Sequence, residues 1–151
     1  MTWKPNATVA VIVEQDNKFL LVEEFSHEKL VINQPAGHIE ANETILEAVI
    51  RETLEETGYR VAPQHLTGFY TYTSPNNGIT YYRFCFSATI VEKLENPRID
   101  PDIENIVWLT RDELQQAESR HRSPLVMRCI DDYLAGKRYP LDLIYEHPAS
   151  E

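Results

Sequence analysis

The chain has 151 residues, 42% hydrophobic and 25% charged, a balance that fits one globular domain spanning residues 1–151. Its formal net charge of −10 argues against nucleic-acid binding, because an acidic protein repels the phosphate backbone. The first apolar stretch, residues 7–13, is too short to span a membrane and lacks a signal-peptide pattern. Cys85 and Cys129 lie far apart in apolar surroundings, so we expect two buried thiols, no disulfide framework and a cytoplasmic protein.

The first part of the chain has the pattern of a hairpin followed by a loop. Residues 7–13 are β-branched and almost entirely apolar, which predicts a buried strand. Residues 18–22 are its predicted hairpin partner, across a turn at 15–17. The Pro-Ala-Gly segment at 35–37 marks a loop.

The strongest helix signal runs from Thr44 to Thr57, and Gly58 follows it where a left-handed C-terminal cap is expected. Residues 66–73 and 80–91 then predict two strands, joined by turn residues at 74–78. The helix would therefore be flanked by strands on both sides in the sequence.

The last third of the chain predicts a short strand and two helices. The strand covers residues 106–109, and a capping box at 110–113 opens a helix that ends near Glu118. Ser123 and Pro124 begin the second helix, which Gly136 ends. The order of strands, helix, strands and helices predicts an α/β or α+β fold with helices packed on a sheet.

Three glutamates share one arc of the central helix. Glu52, Glu55 and Glu56 repel one another, and they lie towards the helix C-terminus, where the helix dipole disfavours anions. Arg51 lies on an adjoining arc, where it could pair with Glu47. A hard divalent cation, Mg²⁺ or alternatively Mn²⁺, would relieve the repulsion; the other interpretation is a solvated acidic face.

The loop before this helix could contribute to a ligand site. Residues 34–38 include Gly37, which lets backbone amides and carbonyls approach a ligand closely. Because the net charge of −10 would repel a phosphate ester, a divalent cation must lie between such a substrate and the protein. The loop and the acidic helix together predict a phosphate and metal site.

These residues occur at the spacing of a known motif. Gly37, Glu43 after five residues and, after seven more, Arg-Glu-Thr-Leu-Glu-Glu-Thr-Gly-Tyr at 51–59 resemble the box that defines the Nudix family. Thr53 and Tyr59 depart from the family pattern, which has bulky aliphatic residues there. Both should pack against the core, so the departures concern packing more than chemistry.

The resemblance implies an α/β/α sandwich with a mixed sheet. It also implies that Glu52 and Glu56 bind Mg²⁺, and that Glu55 is either a further ligand or the base that activates water. In the box, the backbone carbonyl of Ala36 would bind the metal, and Glu43 and Arg51 would brace the loop against the helix. The implied site residues are therefore Ala36, Glu43, Arg51, Glu52, Glu55 and Glu56.

Residues outside the box complete the predicted site. Arg83, in the middle of a predicted strand, is the candidate cation for the leaving phosphate; the alternative is a surface ion pair. Glu104 is the candidate outer metal ligand, with Asp100 and Asp102 as alternatives. The aromatic residues that could stack on a substrate ring, unless they belong to the core, are Trp3, Phe25, Tyr70, Tyr72, Tyr82 and Phe84.

Short segments at 33–40, 122–126 and 139–140 also resemble bacterial phosphatases of this family. That resemblance implies hydrolysis of nucleoside di- and triphosphates and of thiamine-type pyrophosphates, with release of orthophosphate. The alternatives are a non-catalytic nucleotide-sensing domain and a dinucleotide or nucleotide-sugar pyrophosphatase. The expected partner is a small molecule, with no nucleic acid and no membrane, and the chain would be a monomer or a weak homodimer.

Overall fold

The computed structural model describes residues 2–149, and its elements follow the predicted order. The strands are β1 Asn6–Ile12, β2 Glu14–Gln15, β3 Lys18–Ser26, β4 Lys29–Asn33, β5 Ala36–His38, β6 Tyr59–Thr73, β7 Thr80–Lys93 and β8 Ile103–Leu109. The helices are α1 Ile45–Thr57, α2 Arg111–Gln116 and α3 Leu125–Leu134, with 3₁₀ turns at Glu118–Arg120 and Leu141–Leu143.

Two sheets form the centre of the molecule. The mixed sheet has the order β5-β1-β7-β6, in which β1 and β7 are parallel and the other pairs are antiparallel. In the second sheet β3 pairs antiparallel with β2, β4 and β8. Alternate residues of β1 face opposite sides: Val9 and Val11 join the core under α1, whereas Ala10 and Ile12 join the core under α2 and α3. The predicted α/β/α sandwich with a mixed sheet is confirmed.

The predicted hairpin is wrong in one respect. β1 ends at Ile12, and the chain then enters the second sheet, where β2 rather than β1 forms the hairpin with β3. The predicted turn is confirmed, since Asp16 and Asn17 have φ angles of 52° and 64°, the left-handed values that a two-residue hairpin turn requires. The apolar pattern of residues 7–13 does not reveal the change of sheet, because side chains are buried in the same way before and after it.

Besides β2, two further strands in this region were missed. β4 is short, and β5 contains Ala36 and Gly37 of the Pro-Ala-Gly segment that was predicted as a loop. β5 is an edge strand of the mixed sheet, a position that tolerates glycine and an adjacent proline. β6 begins at Tyr59 rather than at residue 66, and its early part was hidden by Pro63, which lies at an irregularity in its register with β7.

Both ends of α1 are fixed by local caps. The side chain of Thr44 accepts a hydrogen bond from Glu47 N (3.0 Å), and the Glu47 carboxylate accepts one from Thr44 N (2.8 Å), which completes a capping box. At the other end Gly58, with φ 77°, donates its N–H to Leu54 O (2.9 Å). These caps set the rotation and length of the helix that carries the glutamates.

The two departures from the family motif are accommodated as expected. Thr53 is fully buried and donates its hydroxyl to Val49 O (2.7 Å), and Tyr59 packs edge-on against Trp108. Cys85 and Cys129 are buried and free, as predicted. Within residues 2–149 no helix has the length and apolarity needed to cross a membrane.

Candidate active site

An open cleft of about 770 Å³ is lined by residues of both sheets and of α1. Its size is in the range of small-molecule sites. Its walls come from β5, the C-terminal half of α1, the end of β3 with His27, the hairpin at 72–77, and the segments 100–104 and 122–125. The box loop, the acidic helix and the outer acidic segment therefore meet around one space.

Glu52 lies against the backbone of β5. Its side chain is 14% exposed, and burial raises the pKa of its carboxyl group despite the hydrogen bond from Arg51. A Cβ atom added at Gly37 would overlap this carboxyl group. Position 37 therefore has to be glycine for the Glu52 carboxylate to lie where it does.

Glu56 is the most buried acid in the cleft, with 7% of its surface exposed. Its Oε1 accepts a hydrogen bond from Ala36 N (2.9 Å). Burial raises the pKa of Glu56 to about 9, and the negative charges of Glu24, Glu52 and Asp100 add to the effect. A bound cation would reverse this by stabilising the ionised form.

The carbonyl of Ala36 lies on the same side of β5 as the N–H that binds Glu56. In the pairing of β5 with β1, Val11 N–H donates to Pro35 O and Ile39 N–H donates to Ala7 O, so Ala36 occupies a non-hydrogen-bonded position between them. Its N–H and C=O therefore both point away from β1 and towards α1. Carboxylate and carbonyl oxygens are the donor set that Mg²⁺ and Mn²⁺ prefer, so these residues fit such an ion.

Arg51 braces the loop against α1. Its Nε and Nη2 contact both oxygens of Glu43 (2.5 and 3.0 Å), and Nη2 also donates to His38 O (3.0 Å). Its Nη1 donates to Glu52 (2.8 Å) and Glu55 (3.2 Å). The expected pairing with Glu47 is wrong, because that side chain closes the capping box instead.

The carboxylates do not yet surround a common point. Among the described residues, no three His, Cys, Asp or Glu side chains converge closely enough to hold a metal ion. Arg51 holds Glu52 and Glu55, whereas Glu56 is held by a backbone amide. Cation binding would therefore require at least one of these carboxylates to move towards the others.

The structure separates the predicted site residues into two groups. Those that line the cleft are Ala36, Gly37, Glu52, Glu56, Tyr72, Arg83 and Glu104, together with the alternative ligands Asp100 and Asp102. Glu43, Arg51 and Glu55 lie beside the cleft rather than in its lining, and the Glu55 side chain is 50% exposed.

Among the candidate aromatic residues, Tyr72 and Phe25 line the cleft. Tyr70 instead donates its hydroxyl to Asp132 (2.8 Å). The remaining candidates make ring contacts outside the cleft lining, and these are Trp3, Tyr82 and Phe84.

Some cleft residues were missed from the sequence. Glu24 follows Glu23 at the end of an apolar strand, and this break in the pattern was the available signal. Its carboxylate pairs with Arg122 (2.6 Å). Asn33 and Tyr81 also line the cleft. The resemblance of segment 33–40 was the available signal for Asn33, whereas nothing in the local sequence distinguishes Tyr81 from an ordinary strand residue.

A family model for the NUDIX domain matches residues 3–128. The chain belongs to the Nudix family. The phosphatase NudJ of Escherichia coli (strain K12) is 42% identical over 142 residues, which cover 94% of this chain and 92% of that protein.

Solved structures agree with this assignment. A NUDIX hydrolase from Nitrosomonas europaea is 48% identical, with a TM-score of 0.93, and the match covers 95% of this chain and 98% of that one. A MutT NUDIX hydrolase from Burkholderia pseudomallei is 21% identical with a TM-score of 0.72, over 86% of this chain and 98% of that one, and supports the fold alone. The chain is therefore a Nudix hydrolase, an enzyme that acts on acid anhydrides in phosphorus-containing substrates.

Arg51→Lys is expected to lower kcat/KM by about 10- to 100-fold. A lysine ammonium group cannot make the two parallel bonds to Glu43 while also reaching His38 O and Glu52. Steady-state kinetics would measure the loss. Arg60→Lys is the matched control, since Arg60 forms only an exposed pair with Glu92. Equal activity of the two variants would contradict a bracing role.

Without divalent metal, the free energy of unfolding is expected to fall by several kcal/mol as pH rises from about 5 to 9. In this window Glu56, with a pKa of about 9, keeps its proton in the folded state but loses it on unfolding. Rising pH therefore favours the unfolded state. Urea denaturation in EDTA at several pH values would measure the slope, which Glu56→Gln should flatten. Parallel slopes for both proteins would contradict the effect of burial.

Proposed function

We propose that this enzyme hydrolyses phosphoanhydride bonds in nucleoside di- and triphosphates and in thiamine-type pyrophosphates, with release of orthophosphate. One observation carries the proposal: the buried carboxylate of Glu56 and the buried guanidinium of Arg83 line the same open cleft. The first suits a cation and the second an anion, as a metal-bound phosphate requires. The 42% identity to a phosphatase NudJ supports the release of phosphate.

The cofactor would be Mg²⁺, or Mn²⁺ in its place, held by Glu52, Glu56 and the carbonyl of Ala36. Glu55 and Glu104 are the further candidate ligands. When bound, such an ion screens the phosphate charge and lowers the pKa of a coordinated water. In its absence burial keeps a proton on Glu56, so loading of the site should improve as pH rises.

The protein itself supplies positioning and charge. Arg83 would hold the phosphate that leaves, where developing negative charge must be stabilised. Glu55 would either be a further ligand or accept the proton of the attacking water. Arg51 and Glu43 keep the loop against α1, so that Ala36 and the glutamates stay in register.

The outer part of the cleft would bind the organic portion of the substrate. Tyr72 and Tyr81 line it, and the Tyr81 hydroxyl accepts a hydrogen bond from Asn77 Nδ2 (3.1 Å). Aromatic faces and side-chain amides can stack on and hydrogen-bond a heteroaromatic ring. This arrangement suits a nucleobase and a thiamine ring alike.

A substrate panel tests the proposal. Nucleoside di- and triphosphates and thiamine diphosphate would be incubated with Mg²⁺ or with EDTA, and orthophosphate would be measured before and after adding inorganic pyrophosphatase. We expect Mg²⁺-dependent release of orthophosphate without the added enzyme. Phosphate that appears only after that addition would instead indicate a pyrophosphatase that cleaves at an inner anhydride. Tight binding of a substrate without turnover would contradict hydrolysis and favour the alternative of a nucleotide-sensing domain.

A further inference from the structure

Arg83 is buried without an acidic partner. It lies in the middle of β7 and is 6% exposed. Its Nη2 donates to Asn33 Oδ1 (2.9 Å) and its Nη1 donates to Gln34 Oε1 (2.8 Å), with a longer contact to Cys129 Sγ (3.8 Å). Within residues 2–149 no carboxylate lies within ion-pair distance of this guanidinium.

The other arginine of the cleft shows the contrast. Arg122 pairs with Glu24 (2.6 Å), and the neighbouring Arg120 pairs with Glu23 (2.8 Å). A buried charge without a counter-ion is costly, and a carboxylate at either amide position would remove that cost. The amides at Asn33 and Gln34 hold the guanidinium without neutralising it, so its charge remains available to an anion in the cleft.

The amide oxygens are themselves held in place. Gln34 is fully buried, and its Nε2 donates to Val126 O (2.7 Å) in α3. That bond fixes the orientation of the amide, so Oε1 must face Arg83. Asn33 is the last residue of β4 and lines the cleft with Arg83. The guanidinium is therefore held by β4 through Asn33 and by α3 through Gln34.

We propose that Asn33 and Gln34 are positioning residues that keep Arg83 in the cleft with its charge unneutralised, so that the substrate phosphate becomes its only anionic partner. The inference rests on the proposed function to the extent that a phosphate compound occupies the cleft. The affinity for phosphate then depends on the neutral amides of Asn33 and Gln34 as well as on Arg83.

Asn33→Asp tests the proposal with almost no change in shape. The new carboxylate would accept the same hydrogen bond and neutralise Arg83. We expect kcat/KM to fall at least about tenfold, with KM raised by weaker phosphate binding and kcat lowered by the lost stabilisation of the leaving phosphate, while stability is retained. Asn76→Asp is the matched control, since it adds the same charge at the cleft rim on an exposed residue. An equal rise in KM in both variants would show that any added negative charge repels the substrate phosphate, and it would overturn the proposal.

A double-mutant cycle sharpens this result. In an Arg83→Gln background, Asn33→Asp should have little further effect on KM, because there is no guanidinium left to neutralise. Cys129→Ala should leave KM within about twofold. A hydrogen bond from Cys85 and the charge of Arg83 lower the pKa of Cys129, so a marked fall in KM in this variant would identify its thiolate as the counter-ion and overturn the proposal.

A binding measurement separates this inference from the proposed function. Methylenediphosphonate, a pyrophosphate analogue that cannot be hydrolysed, would be titrated calorimetrically with Mg²⁺ present. Loss of affinity in Asn33→Asp but not in Asn76→Asp supports the inference even if no substrate of the panel is hydrolysed. Turnover by the wild type with unchanged kinetics and affinity in Asn33→Asp would overturn the inference and leave the proposed function standing.

Discussion

Glu56→Gln is expected to lower kcat by about 10³-fold, which corresponds to about 4 kcal/mol of transition-state stabilisation. Glutamine retains the oxygen that accepts the hydrogen bond from Ala36 N, so the local geometry should persist. It removes only the negative charge that would bind a cation. Since burial already favours the neutral form of Glu56, the metal-free variant should be at least as stable as the wild type at neutral pH.

Steady-state kinetics with saturating Mg²⁺, together with urea denaturation in EDTA, would measure both effects. Glu95→Gln is the matched control, because Glu95 is an exposed acid in the loop after β7. The substitution removes the same charge as Glu56→Gln. Wild-type turnover by Glu56→Gln would show that this carboxylate is not part of the reaction. A folded variant with low activity, beside an unchanged control, is the expected pattern.

Gly37→Ala is expected to lower kcat/KM by about 10²-fold with a loss of stability of only about 1 kcal/mol. The added methyl group would occupy the space of the Glu52 carboxyl group. Because that group ends a flexible side chain, it can move away at small cost to the fold. It would then no longer lie beside Ala36 and Glu56, where a metal ligand is needed.

Gly136→Ala provides the comparison for this variant. Gly136 has open space around it and a φ of 88°, so alanine there costs about 1 kcal/mol through backbone strain alone. We expect its activity to match the wild type. Equal activity of both glycine variants would contradict the close approach of β5 to α1 as a requirement for catalysis.

The sequence predicted α1 and its glutamates well because their signals are local. Thr44, Glu47 and Gly58 cap the helix within a few residues of its ends, and the acidic arc follows from helical geometry alone. β5 could not be predicted in the same way. It is a strand only because β1 offers it hydrogen bonds, whereas its own residues are those of a loop.

The chemistry of the cleft depended on contacts between distant residues. Glu24 and Asp100 influence the pKa of Glu56 from other segments of the chain, and no sequence spacing records that proximity. Arg83 was found from the sequence as a lone cation in a strand, but its neutral partners Asn33 and Gln34 were not. Their contact depends on how the two sheets pack, because Arg83 lies in one sheet and Asn33 in the other.

Binding of Mn²⁺, followed by electron paramagnetic resonance, tests most directly whether the carboxylates of Glu52 and Glu56 form the metal site. The wild type, Glu52→Gln, Glu56→Gln and the control Glu95→Gln would be titrated in parallel. We predict one strong site in the wild type and in the control, with at least about tenfold weaker binding in the other two variants. Equal Mn²⁺ affinity in all four proteins would contradict the assignment of these carboxylates as metal ligands.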